Sequence, residues 1–312
     1  MTAPTAPTAP TAPTAPTPGS LRVNGATLHY EVRGRGPLLL LIPGGTGGAA
    51  SFDDIADGLA AHYTVATYDP RGMSRSTLED PEAEQRVSEH ADDAFRLLEA
   101  LSPGEPARVF GSSSGAIAGL HLLATRPERV ELLVAHEPPL VEVLPDALEH
   151  RALIGRVRAT FETEGLMPAM AVFAEGVKQA DESAGPRPEP QLPPQAVERI
   201  RRTTGNLPLF VGRIVPSFMS YAPDLHRLRE LSDRLVLAAG QDSRGELLHR
   251  PAALLAKRLG TELRQFPGGH TGLTTHPAQF GEFLQETLQE PLRAGAGQRI
   301  PRAGGGSGPS GS

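Results

Sequence analysis

Three consecutive serines bracketed by glycines, Gly111-Ser112-Ser113-Ser114-Gly115, lie between the short apolar run Val109-Phe110 and an apolar-periodic stretch through Leu120, Leu122 and Leu123. G-x-S-x-G between a strand and a helix sets its serine, here Ser113, at the apex of a tight turn with the hydroxyl presented outward. Gly111 and Gly115 suit such a turn because strand and helix pass too closely there for Cβ atoms. A helix starting just after Ser113 directs free backbone N–H groups and partial positive charge at a developing oxyanion. Taken alone, the pentapeptide also reads as a flexible Ser-Gly loop. A serine hydroxyl needs a base within hydrogen-bond reach to act as a nucleophile. The Gly-rich Pro267-Gly268-Gly269-His270 near the end of the apolar-periodic chain offers His270 for that role. His276 precedes Pro277 and reads as a helix lead-in. His121 falls in the elbow helix and His29 in a strand, both structural by placement. His136 adjoins Glu137 but points to the opposite face of an extended chain.

These residues must be held by something, and the pattern around them says what. Leu21–Val23 and Ala26–Val32 alternate about Asn24-Gly25, a hairpin signal. Pro37–Ile42 is a continuous apolar run, as in a strand buried on both faces. It ends in the Gly-rich 43–48 segment, and an amphipathic helix follows over 51–61. A strand is predicted at 63–68 and a helix at 87–101. After the elbow come strands at 130–135, 235–239 and 262–266, with helices at 251–259 and 277–288. Strand–helix alternation of this kind predicts a doubly wound, mostly parallel α/β sheet. Ligands of such sheets lie beyond the carboxyl ends of the strands. Gly44-Gly45, Asp69, Ser113 and Glu137 occupy those ends. Between 138 and 228 the alternation stops and helical stretches rich in Met and Phe take over, a helical cap inserted after the sixth predicted strand. The expected division is therefore a core of 21–137 and 229–293 with a cap of 138–228. A Thr-Ala-Pro tail over 1–20 and a Gly/Ser tail over 294–312 flank it, both expected to be disordered.

The chain has 312 residues, enough for one large α/β domain with an insertion, and a net charge of −6. That charge, with no basic run, argues against nucleic acid or an anionic membrane as partner. With no cysteine there is no disulfide or thiolate chemistry. No apolar stretch reaches membrane-spanning length, and the N-terminus lacks the basic and apolar regions of a secretory signal. A soluble cytoplasmic protein is expected. Nothing in the sequence decides between monomer and homo-oligomer.

Pro43-Gly44-Gly45, Asp69-Pro-Arg-Gly72, Gly111-x-Ser113-x-Gly115 and Gly268-Gly269-His270 follow successive strands in the order of the α/β-hydrolase superfamily, which the chain resembles from about Leu21 to Leu288. "YDPRGMSRS", "GSSSGA", "HEPP" and "GGH" followed by "HP" are similar to the zearalenone-type lactone hydrolases and related capped esterases. The resemblance implies the α/β-hydrolase fold and a Ser113–His270–acid triad without a cofactor or metal. It also implies an oxyanion hole made by the backbone N–H groups of Ser114 and Gly45. For the acid it leaves two candidates. Asp242 follows the seventh strand, the commonest location, but stands two residues after Gly240 where many members place the acid three after; Ser243 fills that slot. Glu137, 24 residues after Ser113, matches the His-Glu variant of the lactone hydrolases and is favoured.

Asp69 and Arg71 read as a charge pair pinning their loop. Glu89, His90, Asp92 and Asp93 read as solvated charge on an exposed helix face rather than metal ligands. In the cap, Met167, Met170, Phe173, Phe218 and Tyr221 are candidate substrate contacts. The implied activity is hydrolysis of a carboxylic ester or lactone of an apolar small molecule through an acyl-enzyme on Ser113, a zearalenone-like macrolactone included. The similar lactone hydrolases use a cap tryptophan, and this chain has no Trp, so recognition of such a substrate must differ. The alternatives are a cofactor-free perhydrolase, haloperoxidase or C–C hydrolase, and a small-molecule receptor on a hydrolase scaffold. Peroxide-dependent oxidation, or acylation without turnover, would mark them.

Overall fold

A computed structural model describes residues 15–177 and 194–290. The expected Gly/Ser tail, residues 1–14 of the Thr-Ala-Pro repeat and most of the Pro-rich 185–194 segment lie outside the described residues.

The strands are β1 (Thr17–Val23), β2 (Ala26–Arg33), β3 (Leu38–Ile42), β4 (Thr64–Tyr68), the two-residue β5 (Thr77–Leu78), β6 (Ala107–Ser112), β7 (Val130–His136), β8 (Leu235–Gly240) and β9 (Leu263–Phe266). They form one sheet in the order β1-β2-β4-β3-β6-β7-β8-β9, with β5 paired to β2. β1–β2 and β2–β4 are antiparallel, and every pair from β4 to β9 is parallel. β1 begins at Thr17, so the expected disordered tail over 1–20 is corrected there. As an edge strand β1 accommodates Pro18, whose missing N–H costs no central ladder bond. Gly19 lies under the Tyr30 ring, which a Cβ would meet at 2.2 Å.

β3 shows why a run of five apolar residues was needed. Leu38, Leu40 and Ile42 enter one core while Leu39 and Leu41 enter the other. The first core packs against α2 (Val87–Leu101), α3 (Ser114–Thr125) and α10 (Arg250–Leu259); the second packs against α1 (Asp53–Ala60) and α12 (Pro277–Gln289). Side chains that alternate across a strand serve both faces only if all are apolar.

Between β7 and β8 the described elements are helical: α4 (Ala147–Glu164), α5 (Leu166–Val177), α6 (Pro194–Gly205), α7 (Leu207–Leu209), a π-helical turn at Phe210–Ile214, α8 (Val215–Met219) and α9 (Leu225–Glu230). Most of this excursion gathers around a third apolar cluster that includes Ile154, Val157, Val211 and Met219. It returns over the carboxyl ends of the strands, where Asn206 and Phe210 meet the loop after β3. Among the described residues no helix is long and apolar enough to cross a membrane.

Candidate active site

Ser113 sits between β6 and α3 with φ 54° and ψ −122°, a conformation that side-chain-bearing residues rarely adopt. Only close packing over-determines such a turn. A Cβ on Gly111 would lie 2.5 Å from the Gly115 carbonyl oxygen, and one on Gly115 would lie 2.3 Å from that of Ile42. The loop after β3 presses on the same turn, because a Cβ on Gly44 would come within 2.6 Å of Ser113 Cβ. The Ser113 N–H donates to the His136 carbonyl at 2.9 Å, which fixes the elbow against the end of β7.

The next residue after His136 is Glu137, at φ 45°. Described non-glycine residues with positive φ are Ser74, Ser113 and Glu137, and two of them stand here side by side. Strain of this sort persists where surroundings hold it and collects at functional sites. The Glu137 N–H donates to the Ala238 carbonyl at 2.9 Å, turning its side chain toward the end of β8. There Oε1 accepts the Gly240 N–H at 2.8 Å and the Ser243 hydroxyl. Its other oxygen, Oε2, lies 2.7 Å from His270 Nδ1. Burial works to raise the Glu137 pKa, but the His270 hydrogen bond, the electrostatic pull of the His136 and His270 imidazoles and the Ser243 hydroxyl outweigh it and hold the group at about 2. At neutral pH it is a carboxylate and can only accept, so the proton in this contact is carried by His270 Nδ1. The His270 side chain is 14% exposed and Glu137 fully covered.

Asp242 is exposed, and its N–H donates to the Gly268 carbonyl at 3.0 Å. The carboxylate on His270 is that of Glu137. Ser243, in the slot three after Gly240, serves as a donor to that carboxylate instead. His270 comes from the loop between β9 and the short α11 (Gly272–Thr275), on the same edge of the sheet as the elbow. His276 leads into α12 as the sequence indicated, with its Nδ1 2.9 Å from Thr275 Oγ1. His121 Nδ1 is 2.8 Å from the Tyr221 hydroxyl, tying α3 to the cap. His136 is buried edge-on against Phe266 and Phe280, and neither ring nitrogen has a hydrogen-bond partner among the described residues.

As first residue of α3, Ser114 has an N–H with no intrahelical acceptor. The Gly45 N–H donates to the Ser114 hydroxyl at 2.9 Å. A narrow cavity lined by Gly45, Ser114, Tyr68, Met73, Ile214 and Phe218 adjoins them, with about 10 Å³ of room for a water's centre. That suffices for about one water.

Of the five cap residues singled out from sequence, Phe218 lines this cavity. Phe173 stacks edge-on with Phe210 at 5.7 Å, and Met170 packs in the cap cluster. Tyr221 is engaged by His121. Met167 is 72% exposed on the outer surface and is corrected as a pocket residue, since the inward face of α5 is taken by Ala169 and Val177.

Two other expectations also change. Asp69 and Arg71 do not pair with each other. Asp69 accepts the Ala49 N–H at 2.8 Å and the Arg75 Nε at 2.7 Å, bracing the loop after β3. Arg71 forms a bidentate pair with Asp93 at 2.7 and 2.6 Å. His90 and Asp93 are therefore buried rather than solvated, three residues apart on the inner side of α2. His90 bonds Gln85 at 2.8 Å, and burial pushes its pKa down to about 3. Among the described residues no three His, Asp or Glu side chains gather as metal ligands would.

Asn206 and the π-helical turn carry no sequence signal. Asn206, 4% exposed, donates to the Thr46 carbonyl at 2.8 Å and Ser74 Oγ at 3.0 Å, and accepts the Ser74 N–H at 2.8 Å. It latches the cap to both loops beside the elbow. Phe210, in a π-turn of the kind often found at functional sites, faces Gly45, whose added Cβ would be 3.7 Å from its ring.

Comparison with known proteins agrees with the fold. A family model described as the alpha/beta hydrolase fold matches residues 37–168. The chain is similar to the uncharacterized hydrolase YraK of Bacillus subtilis, 37% identical over 289 residues, covering 87% of this chain and 96% of that protein. It is 29% identical over 274 residues to the zearalenone hydrolase of Bionectria ochroleuca, covering 86% of this chain and 96% of that one. A crystal structure reported among carboxylesterases of the thaumarchaeon Nitrososphaera gargenis shares the fold, with a TM-score of 0.66 at 20% identity over 87% of this chain and 97% of that one.

Proposed function

The chain belongs to the α/β-hydrolase family, and from that premise we propose that it is a serine hydrolase cleaving a carboxylic ester or lactone of an apolar small molecule. The observation that carries the reading is the Glu137–His270 contact at 2.7 Å, held at the end of β7 beside the strained Ser113 turn.

Ser113 Oγ attacks the carbonyl carbon while its proton passes to His270 Nε2, the nitrogen left basic by the Glu137 contact. The C=O electron pair moves onto oxygen, which is stabilised by the Ser114 N–H at the start of α3 and from the side of Gly45. Collapse breaks the bond to the leaving oxygen, which takes the proton from His270. In a lactone the alcohol stays on the acyl group, so ring opening and acylation are one event. Water, deprotonated by His270, then releases the acid and restores Ser113. Glu137 keeps Nδ1 protonated and stabilises the imidazolium formed in each half.

Similarity to zearalenone hydrolases makes a macrolactone of that kind the first substrate to assay, with Phe210, Phe218 and Phe173 in place of a tryptophan. A fluorophosphonate adduct located by mass spectrometry is expected on Ser113 and absent in Ser113→Ala. Labelling elsewhere, or ester hydrolysis that survives Ser113→Ala, would refute the proposal.

A further inference from the structure

The residue after the nucleophile is also a serine, and its side chain is not idle. Ser114 is 9% exposed, and its Oγ accepts the Gly45 N–H at 2.9 Å. A hydroxyl that accepts one hydrogen bond still has a proton to donate. Among the described residues nothing takes that proton. A buried hydroxyl with an undelivered proton is costly to keep unless something else occupies the acceptor position. Here the group lines the cavity that runs from Gly45 and Ser114 to Phe218 under the cap.

The same contact shows that the Gly45 N–H is already committed. It is aimed at Ser114 Oγ, so a carbonyl oxygen bound at the α3 N-terminus meets the hydroxyl before it meets the Gly45 amide. A hydroxyl and an N–H on one residue can share a single oxygen acceptor at a helix N-terminus, where anions are commonly held. A hydroxyl that accepts from an amide is also the stronger donor for it.

We propose that the Ser114 hydroxyl is a catalytic donor of the oxyanion site: Ser114 N–H and Oγ–H together hold the oxyanion, and the Gly45 N–H acts through the hydroxyl. This rests on the acyl-transfer reading of Ser113 given above. It changes that reading in one testable respect. A site made only of backbone amides is indifferent to side-chain substitution, whereas this one depends on the Ser114 side chain.

The experiment compares wild type with Ser114→Ala, Ser114→Cys and Ser114→Thr. It measures kcat and KM on a p-nitrophenyl ester, fluorophosphonate labelling of Ser113, and the Ki of a trifluoromethyl ketone that forms a tetrahedral adduct. Loss of one oxyanion donor lowers kcat on the order of a hundredfold. Ser114→Ala is expected to show that loss with KM little changed, and a matching rise in the ketone Ki. Ser114→Thr, which keeps the hydroxyl, should recover most of the rate. Ser114→Cys keeps the size but donates weakly, so it should stay slow and carries the test if alanine unsettles the turn. If wild-type Ser113 labels and the alanine and cysteine variants turn over within about threefold of wild type or faster (a small fraction of the loss expected), the hydroxyl is not a donor and this inference falls alone. If wild-type Ser113 does not label, the acyl-enzyme reading falls and takes this inference with it.

Discussion

Replacing Glu137 by Gln changes one atom and should cost the enzyme nearly all of its activity, for a reason readable from the hydrogen bonds. Oε1 of Glu137 is enclosed by two donors, the Gly240 N–H at 2.8 Å and the Ser243 hydroxyl. A glutamine therefore keeps its carbonyl oxygen at that position and turns its NH2 toward His270. Nδ1 must then accept, which moves the imidazole proton to Nε2, the nitrogen that has to receive the Ser113 proton. The opposite orientation of the amide sets NH2 against the buried Gly240 N–H. Leaving that donor unpaired costs about 1–3 kcal/mol, so the productive orientation is depleted from roughly fivefold to roughly 160-fold. Loss of the negative charge that stabilises the imidazolium adds to this. The corresponding exchange in serine proteases lowers kcat by about 10⁴, and a fall of that order is expected here. The assay is steady-state hydrolysis of a p-nitrophenyl ester, with a thermal melt to show that Glu137→Gln is folded. Asp242→Asn serves as comparison and should leave kcat unchanged, because Asp242 is exposed and Nδ1 contacts Glu137 instead. Activity of Glu137→Gln within about tenfold of wild type, or an equal fall in Asp242→Asn, would refute the reasoning.

Further expectations concern stability and the cap. Burial lowers the His136 pKa from 6.5 to about 4, with only the Glu137 charge opposing. The unfolded chain therefore binds the extra proton first, so stability is full above pH 6.5 and declines as pH falls toward 4, by roughly 3 kcal/mol from this residue. His136→Leu should reduce that acid loss, measured as the difference between the two proteins in urea unfolding at pH 7 and pH 4.5, and should be no less stable at pH 7 because an unsatisfied imidazole is removed. Identical acid slopes would rule out the assignment. Asn206→Ala removes three partly buried hydrogen bonds between the cap and the loops after β3 and β4, worth on the order of 3 kcal/mol together. Faster limited proteolysis within the cap and a fall in kcat/KM are expected, and an unaltered digestion pattern with unaltered kinetics would argue against a latch.

What the sequence made legible, and what it did not, follows the range of the forces involved. The elbow is dictated by residues within five positions of one another, and the apolar run of β3 states its own double burial. Both could be read directly. The partner of His270 could not be derived from spacing, because Glu137 and Asp242 follow adjacent parallel strands and lie at the same edge of the sheet. Resemblance favoured Glu137, but the physical choice is made by the Glu137 backbone at φ 45° and by two donors from the end of β8 that fit an oxygen reaching across from β7. Ser243 is the informative residue: it supplies a hydroxyl to the carboxylate that faces His270.

The misread charges have the same origin. Asp93 looks like a solvated helix residue until Arg71, 22 positions away, is brought beneath it. Asp69 looks like the partner of Arg71 until Arg75 closes on it from within the same loop. In each case the buried charge is compensated by a group other than the one the linear pattern suggested, and burial without such a partner would have been prohibitive. The consequence reaches the reaction centre. Asp69 braces the Ala49 amide while Asn206 holds Thr46, so the segment carrying Gly44 and Gly45 is pinned from the core on one side and from the cap on the other. On the hydrolase reading proposed above, a cap that lifts to admit substrate releases the Asn206 side while Asp69 keeps hold. Entry of the ligand and alignment of the oxyanion donors are then coupled through one asparagine.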